Sequence, residues 1–283
     1  MYEIDLILAG VPVDVRVVGP CDPGNIEARF GAYRRDRCGL AVRSPVIDVT
    51  VAPRLGWKAP RTPVAEYPGA DVEMLGEGRA RFTRFSDEIT WDPVARTATS
   101  ACLHVDRALP PLVDATPIDT PLRLALSCDL PAQGGVLVHG AGYADARGAV
   151  AFLAPTRGGK TTTSRKLPEA HVLSDDQVAL RRVDGEWRAY ALPFVGDFAK
   201  ATVPREAPLK ALVLLEKSQT ARCERVSEAR ALARVMNCVV RFVRGAGGAE
   251  LLALAGDLVA RTPVYVLALS LDEPVMPFVE RML

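Results

Sequence analysis

Valine at positions 11, 13, 15 and 17 alternates with other residues, and an apolar run fills residues 2–8. Period-two alternation is the mark of a half-buried strand, and Ala9-Gly10 between the two runs predicts a hairpin turn. Val46 to Val51 predicts another strand beyond a proline- and arginine-rich stretch. Short segments near 71–76, 79–85, 87–91 and 96–103 follow, punctuated by Gly, Asp and Pro at the spacing of a meander. Pro110, Pro111, Pro117 and Pro121 disfavour regular structure over 106–121, which predicts a linker. The pattern then changes. Leu122, Leu124, Leu126 and Leu130 predict a short helix closed by Gly134-Gly135. Val136–His139 and Ala149–Ala154 predict strands, and a helix opens near Lys160. Val172-Leu173 and Val178–Leu180 flank two aspartates. Ala211–Leu215 is a buried strand, helical patterns occupy 227–240 and 249–260, and Val264–Leu269 is strand-like. No repeat of 20–50 residues is visible.

The resulting division is a β-rich N-terminal domain over 1–118 and an α/β or α+β domain over 119–283. A net charge of +1 removes any global field toward nucleic acid or a membrane surface, so affinity for phosphate must come from a local site. The six cysteines are widely scattered and none forms a C-x-x-C pair, which leaves a zinc site or a thioredoxin-like centre unsupported. Reduced, mostly buried thiols, a start without a basic signal-peptide region and the lack of a bilayer-length apolar run point to the cytoplasm.

The chemistry concentrates in Ala154-Pro155-Thr156-Arg157-Gly158-Gly159-Lys160-Thr161-Thr162. A strand that runs into a small-residue loop and then a helix is the setting of a phosphate-binding loop. Glycine lets successive backbone N–H groups turn onto phosphate oxygens, and a helix N-terminus adds partial positive charge. Lys160 reaches the β- and γ-phosphates, and the Thr161 hydroxyl is placed to ligate Mg²⁺. Ala154 stands where the strict pattern G-x-x-x-x-G-K-S/T has its first glycine, a departure that is tolerable where φ stays negative. Downstream, Val172-Leu173-Ser174-Asp175-Asp176-Gln177-Val178 places two carboxylates after an apolar strand. One is suited to hold Mg²⁺ beside the loop and the other to take a proton from an attacking hydroxyl, the two roles remaining undivided. Adjacent residues on an extended segment point to opposite sides, so the strand should end at Ser174 for both to face one phosphate. His139, at the end of Val136-Leu137-Val138, is a third candidate; His104 and His171 are unassigned.

The succession Val136-Leu137-Val138-His139-Gly140, Gly148 to Leu153, G-G-K-T and Leu173-Ser174-Asp175-Asp176 resembles the HPr kinase/phosphorylase family. It is similar also to the kinase-like relatives found beside ribosomal-peptide maturation genes. The resemblance spans roughly 120–270 and is most specific between 136 and 180. It implies a PEP-carboxykinase-like P-loop kinase domain rather than a Ras-like sheet, with ATP and Mg²⁺ as cofactors. It also implies metal-binding and hydroxyl-activating roles for the aspartate pair, and a site histidine at His139. Pro193-Phe194-Val195-Gly196-Asp197 resembles a further segment of that family, at the acceptor site. Two departures stand out: Ala154 replaces glycine, and Arg157 occupies a position where the family has another glycine. Arg157 either reshapes the loop or contacts phosphate itself. The glycine-rich signature by which HPr kinases recognise HPr is not identified. The expected activity is transfer of a phosphoryl group from ATP to a serine-type hydroxyl of a peptide or protein. The alternatives are a non-catalytic nucleotide-binding module that positions a peptide for partner enzymes, and a small-metabolite kinase. A homo-oligomer is compatible with these features.

Overall fold

The computed structural model describes residues 1–19, 21–35, 45–52, 71–83, 87–103, 117–155, 158–194, 196, 202–241, 248–270 and 272–283. The chain divides into two units, Met1–Asp129 with Arg241–Ala246, and Leu130–Val240 with Gly247–Leu283.

The first unit carries strands β1 (Tyr2–Leu8), β2 (Val11–Val18), β3 (Val46–Ala52), β4 (Asp71–Gly76), β5 (Arg79–Thr83), β6 (Asp87–Asp92) and β7 (Thr97–Leu103) in one seven-stranded sheet. Their order is β1-β2-β3-β7-β6-β5-β4. The predicted hairpin is present: β1 and β2 pair antiparallel about Ala9 (φ 53°) and Gly10 (φ 75°). Two consecutive positive φ values make the turn whose twist matches the strands it joins. The meander is also present from β4 to β7. Less foreseeable is that β2–β3 and β3–β7 are parallel. Ile4, Leu6, Leu8, Val13, Val15, Val17, Ile47, Val49 and Phe82 are buried, with charged residues such as Asp14 and Arg16 alternating between them. One packed face and one polar face is the usual solution for such a sheet.

Among the described residues this unit carries α-helices α1 (Pro23–Phe30) and α2 (Asp119–Asp129). Asp22 caps α1 by accepting the Gly24 N–H at 2.8 Å, and Pro23 occupies the first turn, where its missing N–H costs nothing. The sequence reading placed no helix there. Helix α2 packs on β3, β6 and β7, so the first unit takes in residues 119–129, which the sequence reading assigned to the second domain. Most of the candidate linker, residues 104–116, lies outside the described residues.

The second unit holds β8 (Gly135–Asp145), β9 (Gly148–Leu153), β10 (Val172–Ser174), β11 (Gln177–Val183), β12 (Glu186–Tyr190), β13 (Glu206–Lys217), β14 (Arg222–Arg225) and β15 (Val264–Leu269). Its helices are α3 (Lys160–Arg165), α4 (Glu228–Met236), α5 (Gly248–Arg261) and α6 (Met276–Met282). The main path is β10-β8-β11-β12-β13-β15-β14, and β9 lies between β13 and β8. Central strands β9, β13 and β15 run parallel, whereas β8, β11, β12 and β14 pair antiparallel with their neighbours. The architecture is therefore mixed α/β, built on two sheets.

Strand alternation splits the apolar residues of this unit into two cores. Val136, Val138, Ala151, Leu153, Val178, Leu180, Leu212 and Leu214 pack with α4 and α5 on one face. Ala141, Tyr143, Val150, Phe152, Ala154, Val213 and Leu267 pack with Leu167 and α6 on the other. Both faces are covered, which is why Ala211–Leu215 is apolar throughout. Of the described cysteines, Cys21, Cys128 and Cys223 are half-buried and Cys238 is buried, and none is disulfide-bonded, so burial is less complete than the sequence suggests. No helix among the described residues is long and apolar enough to cross a membrane.

Candidate functional site

Strand β8 is the spine of the site. Along one edge it pairs with β9, and past Gly140 the same edge is taken by the segment after α4. There His139 N–H donates to Cys238 O at 2.7 Å and Val240 N–H to Leu137 O at 2.8 Å. The opposite edge pairs first with β10 and then with β11. Ser174 lies across from Gly142 and Gln177 across from His139. Asp175-Asp176 is thus a two-residue bend between two segments of one interrupted strand. The strand does stop at Ser174, and it resumes at Gln177.

Backbone hydrogen bonds tie the three candidate motifs to adjacent residues of β8. Ala154, the first loop residue, donates its N–H to His139 O at 3.4 Å. Gly140 donates its N–H to Asp176 O at 3.0 Å and pairs with Leu153 at the end of β9. Loop, histidine and aspartate pair therefore converge on His139-Gly140.

Within the loop, Gly158 N–H donates to Pro155 O at 2.9 Å and closes a tight turn. A Cβ on Gly158 would fall 2.6 Å from Ala154 Cβ and 2.8 Å from Pro155 O, so the turn admits no side chain there. Gly159 has φ +99° and opens α3, a conformation that glycine adopts without strain. Ala154 is not among the residues of positive φ, which is the condition under which alanine replaces the first glycine. Pro155 is exposed, while Thr156 and Arg157 lie outside the described residues. Lys160 is 8% exposed, and its Nζ donates to Ala154 O and Pro155 O, each at 3.1 Å. The ammonium thus sits under the loop, bonded to its carbonyls. Thr161 and Thr162 are half-buried. Helix α3 is only six residues long, so its dipole contributes less than expected.

The aspartates differ in setting. Asp175 is 5% exposed, and its Oδ1 accepts the Gly196 N–H at 3.0 Å. A Cβ on Gly196 would stand 2.8 Å from Asp175 Oδ2 and 3.0 Å from Asp176 Cβ, so only a glycine lets this backbone lie against the pair. Asp176 is half-buried. Ser174 Oγ accepts the Gln177 N–H at 3.3 Å and the Asp176 N–H at 3.4 Å, which fixes the bend. Val195 and Asp197 lie outside the described residues.

Among the described residues no group of three or more His, Cys, Asp or Glu gathers to hold a metal ion. A nucleotide-bound Mg²⁺ needs no such cage, because it retains phosphate oxygens and water and takes one or two protein ligands. The Thr161 hydroxyl and one carboxylate of the pair are hard oxygen donors of the required kind. The loop that leads to Thr161 and the bend that carries the aspartates both bond to His139-Gly140 of β8, and these donors are of the kind that such an ion takes.

Ser174, the predicted end of its strand, caps the bend with its hydroxyl. Two further residues near the site have no role in the sequence analysis. Gln177 is 1% exposed and opens β11 directly after the aspartates. Cys238 carries the carbonyl that holds His139; burial pushes its thiol up to about 11, against the opposing pull of the nearby Lys160 charge. A polar residue opening an apolar run was the available signal for Gln177; Cys238, distant in sequence, offered none.

A search of the curated proteins gives no match. The family described as SynChlorMet cassette protein ScmC matches residues 124–283, more than half of the chain, including β8, the loop and the aspartate pair. This chain belongs to the SynChlorMet cassette protein ScmC family.

Proposed function

We propose that the second unit is a PEP-carboxykinase-like P-loop kinase domain that transfers the γ-phosphoryl group of ATP, with Mg²⁺, to a serine-type hydroxyl of a peptide or protein. The observation that carries the proposal is the convergence on His139-Gly140. The Ala154 N–H bonds to His139 O and the Gly140 N–H to Asp176 O, so the loop and the aspartate bend both join β8 at the histidine. Phosphoryl transfer asks for little else, since its catalysis is mostly positioning and charge neutralisation.

Lys160 leaves its two loop carbonyls for the β- and γ-phosphates, exchanging neutral acceptors for charged ones. Thr161 and one aspartate would hold Mg²⁺, which when bound would neutralise charge on the phosphates. The other aspartate accepts the proton of the acceptor hydroxyl, and His139 supports the transferring group. Asp175, anchored by Gly196, has the fixed geometry of a metal ligand. The more accessible Asp176 suits the base. The resemblance to HPr kinase-like proteins supports the same assignment.

The test is incubation with labelled ATP, Mg²⁺ and candidate peptides encoded nearby, read by mass spectrometry for an added phosphate. Phosphorylated peptide is the expected result. Tight ATP binding with no transfer to any peptide or small hydroxyl compound would leave a module that only binds nucleotide. Absence of ATP binding overturns the P-loop reading itself.

A further inference from the structure

Gln177 presents an unusual feature. Its side chain is 1% exposed, and Oε1 is buried with no hydrogen-bond partner. Buried carbonyl groups are nearly always paired, because leaving one unsatisfied costs its full desolvation, and an exception asks for an explanation. The placement of this one is informative. Gln177 follows Asp176 directly and is the cross-strand neighbour of His139. By strand alternation it shares a face with Ala179, opposite to Val178 and Leu180, which belong to the α4–α5 core. The amide therefore lies on the same side of the sheet as Ala141 and Ala154.

An orphan carbonyl needs a hydrogen-bond donor. Resting on the kinase reading above, three groups meet at the transferring phosphate, beside the aspartates that Gln177 follows: the nucleotide phosphates, the acceptor hydroxyl and the water on Mg²⁺. Nucleotide phosphates are acceptors only, so they do not satisfy it. The acceptor hydroxyl has one proton, which passes to an aspartate in the reaction, so it does not satisfy Oε1 through the transition state. Water bound to Mg²⁺ has two protons, both polarised by the cation. No cluster of three acidic or imidazole ligands gathers among the described residues, so phosphate and water must complete the shell of the ion. Second-shell acceptors of such waters orient the ion and commonly contribute 10- to 100-fold to metal affinity. We propose that Gln177 is a metal-positioning residue whose side-chain carbonyl accepts a hydrogen bond from a Mg²⁺-bound water.

Calorimetric titration of ATP into the full chain, with Mg²⁺ and with EDTA in its place, tests this. Gln177→Leu removes the carbonyl at similar volume. Mg²⁺–ATP affinity should fall about 10-fold, metal-free ATP affinity should be unchanged, and the apoprotein should melt no lower than wild type, because an unsatisfied group has been removed. Gln177→Glu supplies a stronger acceptor and should raise the ratio of Mg²⁺–ATP to metal-free affinity above wild type. Equal losses with and without Mg²⁺, or no loss at all, overturn the proposal while leaving the P-loop reading intact. If Gln177→Leu melts well below wild type, the glutamate variant decides: a lowered or unchanged Mg²⁺ ratio overturns the proposal. Wild-type protein that binds no ATP in either buffer overturns both.

Discussion

Lys160 and the two aspartates are few enough to be tested one at a time. Lys160 Nζ bonds to Ala154 O and Pro155 O, so Lys160→Ala removes two loop contacts as well as a phosphate partner. Hydrogen bonds to charged groups contribute about 1.5–3 kcal/mol, so ATP affinity should drop about 10- to 150-fold by calorimetry and transfer should vanish. The fold should persist in circular dichroism, since Val150, Phe152 and Leu153 of β9 stay packed. Unchanged affinity would remove the P-loop reading. For the aspartates, an Asn replacement keeps size and an acceptor oxygen but removes charge. Asp176→Asn should slow transfer about 10²–10⁴-fold with Mg²⁺–ATP affinity little changed, the behaviour of a base. Asp175→Asn keeps an oxygen for the Gly196 N–H and should weaken Mg²⁺–ATP binding along with transfer. Interchanged phenotypes would reverse the two roles, and wild-type transfer in both variants would remove the catalytic assignment.

At the scale of elements, the candidate phosphate loop is held by a turn that admits no Cβ at Gly158. Gly158→Ala brings its methyl against Ala154 Cβ and Pro155 O, so the turn must open. Overpacking of this kind costs about 1–3 kcal/mol. Thermal melts should show that loss, and ATP affinity should fall with it, because the Gly158 N–H then no longer reaches Pro155 O. Full affinity in a folded Gly158→Ala protein would show that the turn has no part in binding. Elements of this size were the most legible part of the sequence. The valines of β2 and the apolar run of β13 announce their strands by alternation and by unbroken hydrophobicity. Helix α1 was missed because proline and glycine after Asp22 look like a turn, although Asp-Pro is also a helix start. Helix α2 begins at Asp119 within the proline-rich stretch, because Pro121 falls in its first turn, where no N–H is required. Parallel pairing of β2 with β3 and of β3 with β7 leaves no local trace, since register between distant strands is set by packing rather than by neighbouring residues. Of the candidate site, the loop and the aspartates were legible because glycine, lysine and carboxylates declare their chemistry in sequence. Gln177 and Cys238 were not, because burial and cross-strand position, rather than residue type, single them out.

Across the whole molecule, every candidate residue from His139 to Asp176 belongs to the second unit, and none to the seven-stranded sheet. Nucleotide binding should therefore act on one unit, and a defect confined to the other should leave it intact. The first unit offers a suitable defect. Asp119 at the start of α2 pairs with Arg29 of α1 and accepts from Arg123 Nε at 2.8 Å; the two guanidinium side chains are 4% and 6% exposed. Removing one partner of a buried ion pair costs about 3–5 kcal/mol, because the charge left behind is uncompensated. Asp119→Ala takes the carboxylate from both guanidinium groups, so the first unit should be destabilised by about that range or less. A chain of two units need not unfold in one step, and calorimetry resolves the steps when their midpoints differ. ATP with Mg²⁺ at a hundred times its dissociation constant should stabilise the unit that binds it by about 2.7 kcal/mol. The expected scan has two transitions: Asp119→Ala lowers one, Mg²⁺–ATP raises the other, and calorimetric ATP affinity is the same in variant and wild type. A single transition moved by both treatments would mean that the chain unfolds as one cooperative body. A variant that keeps its fold but loses ATP affinity would mean that the first unit takes part in nucleotide binding, and the site would then have to be extended beyond the second.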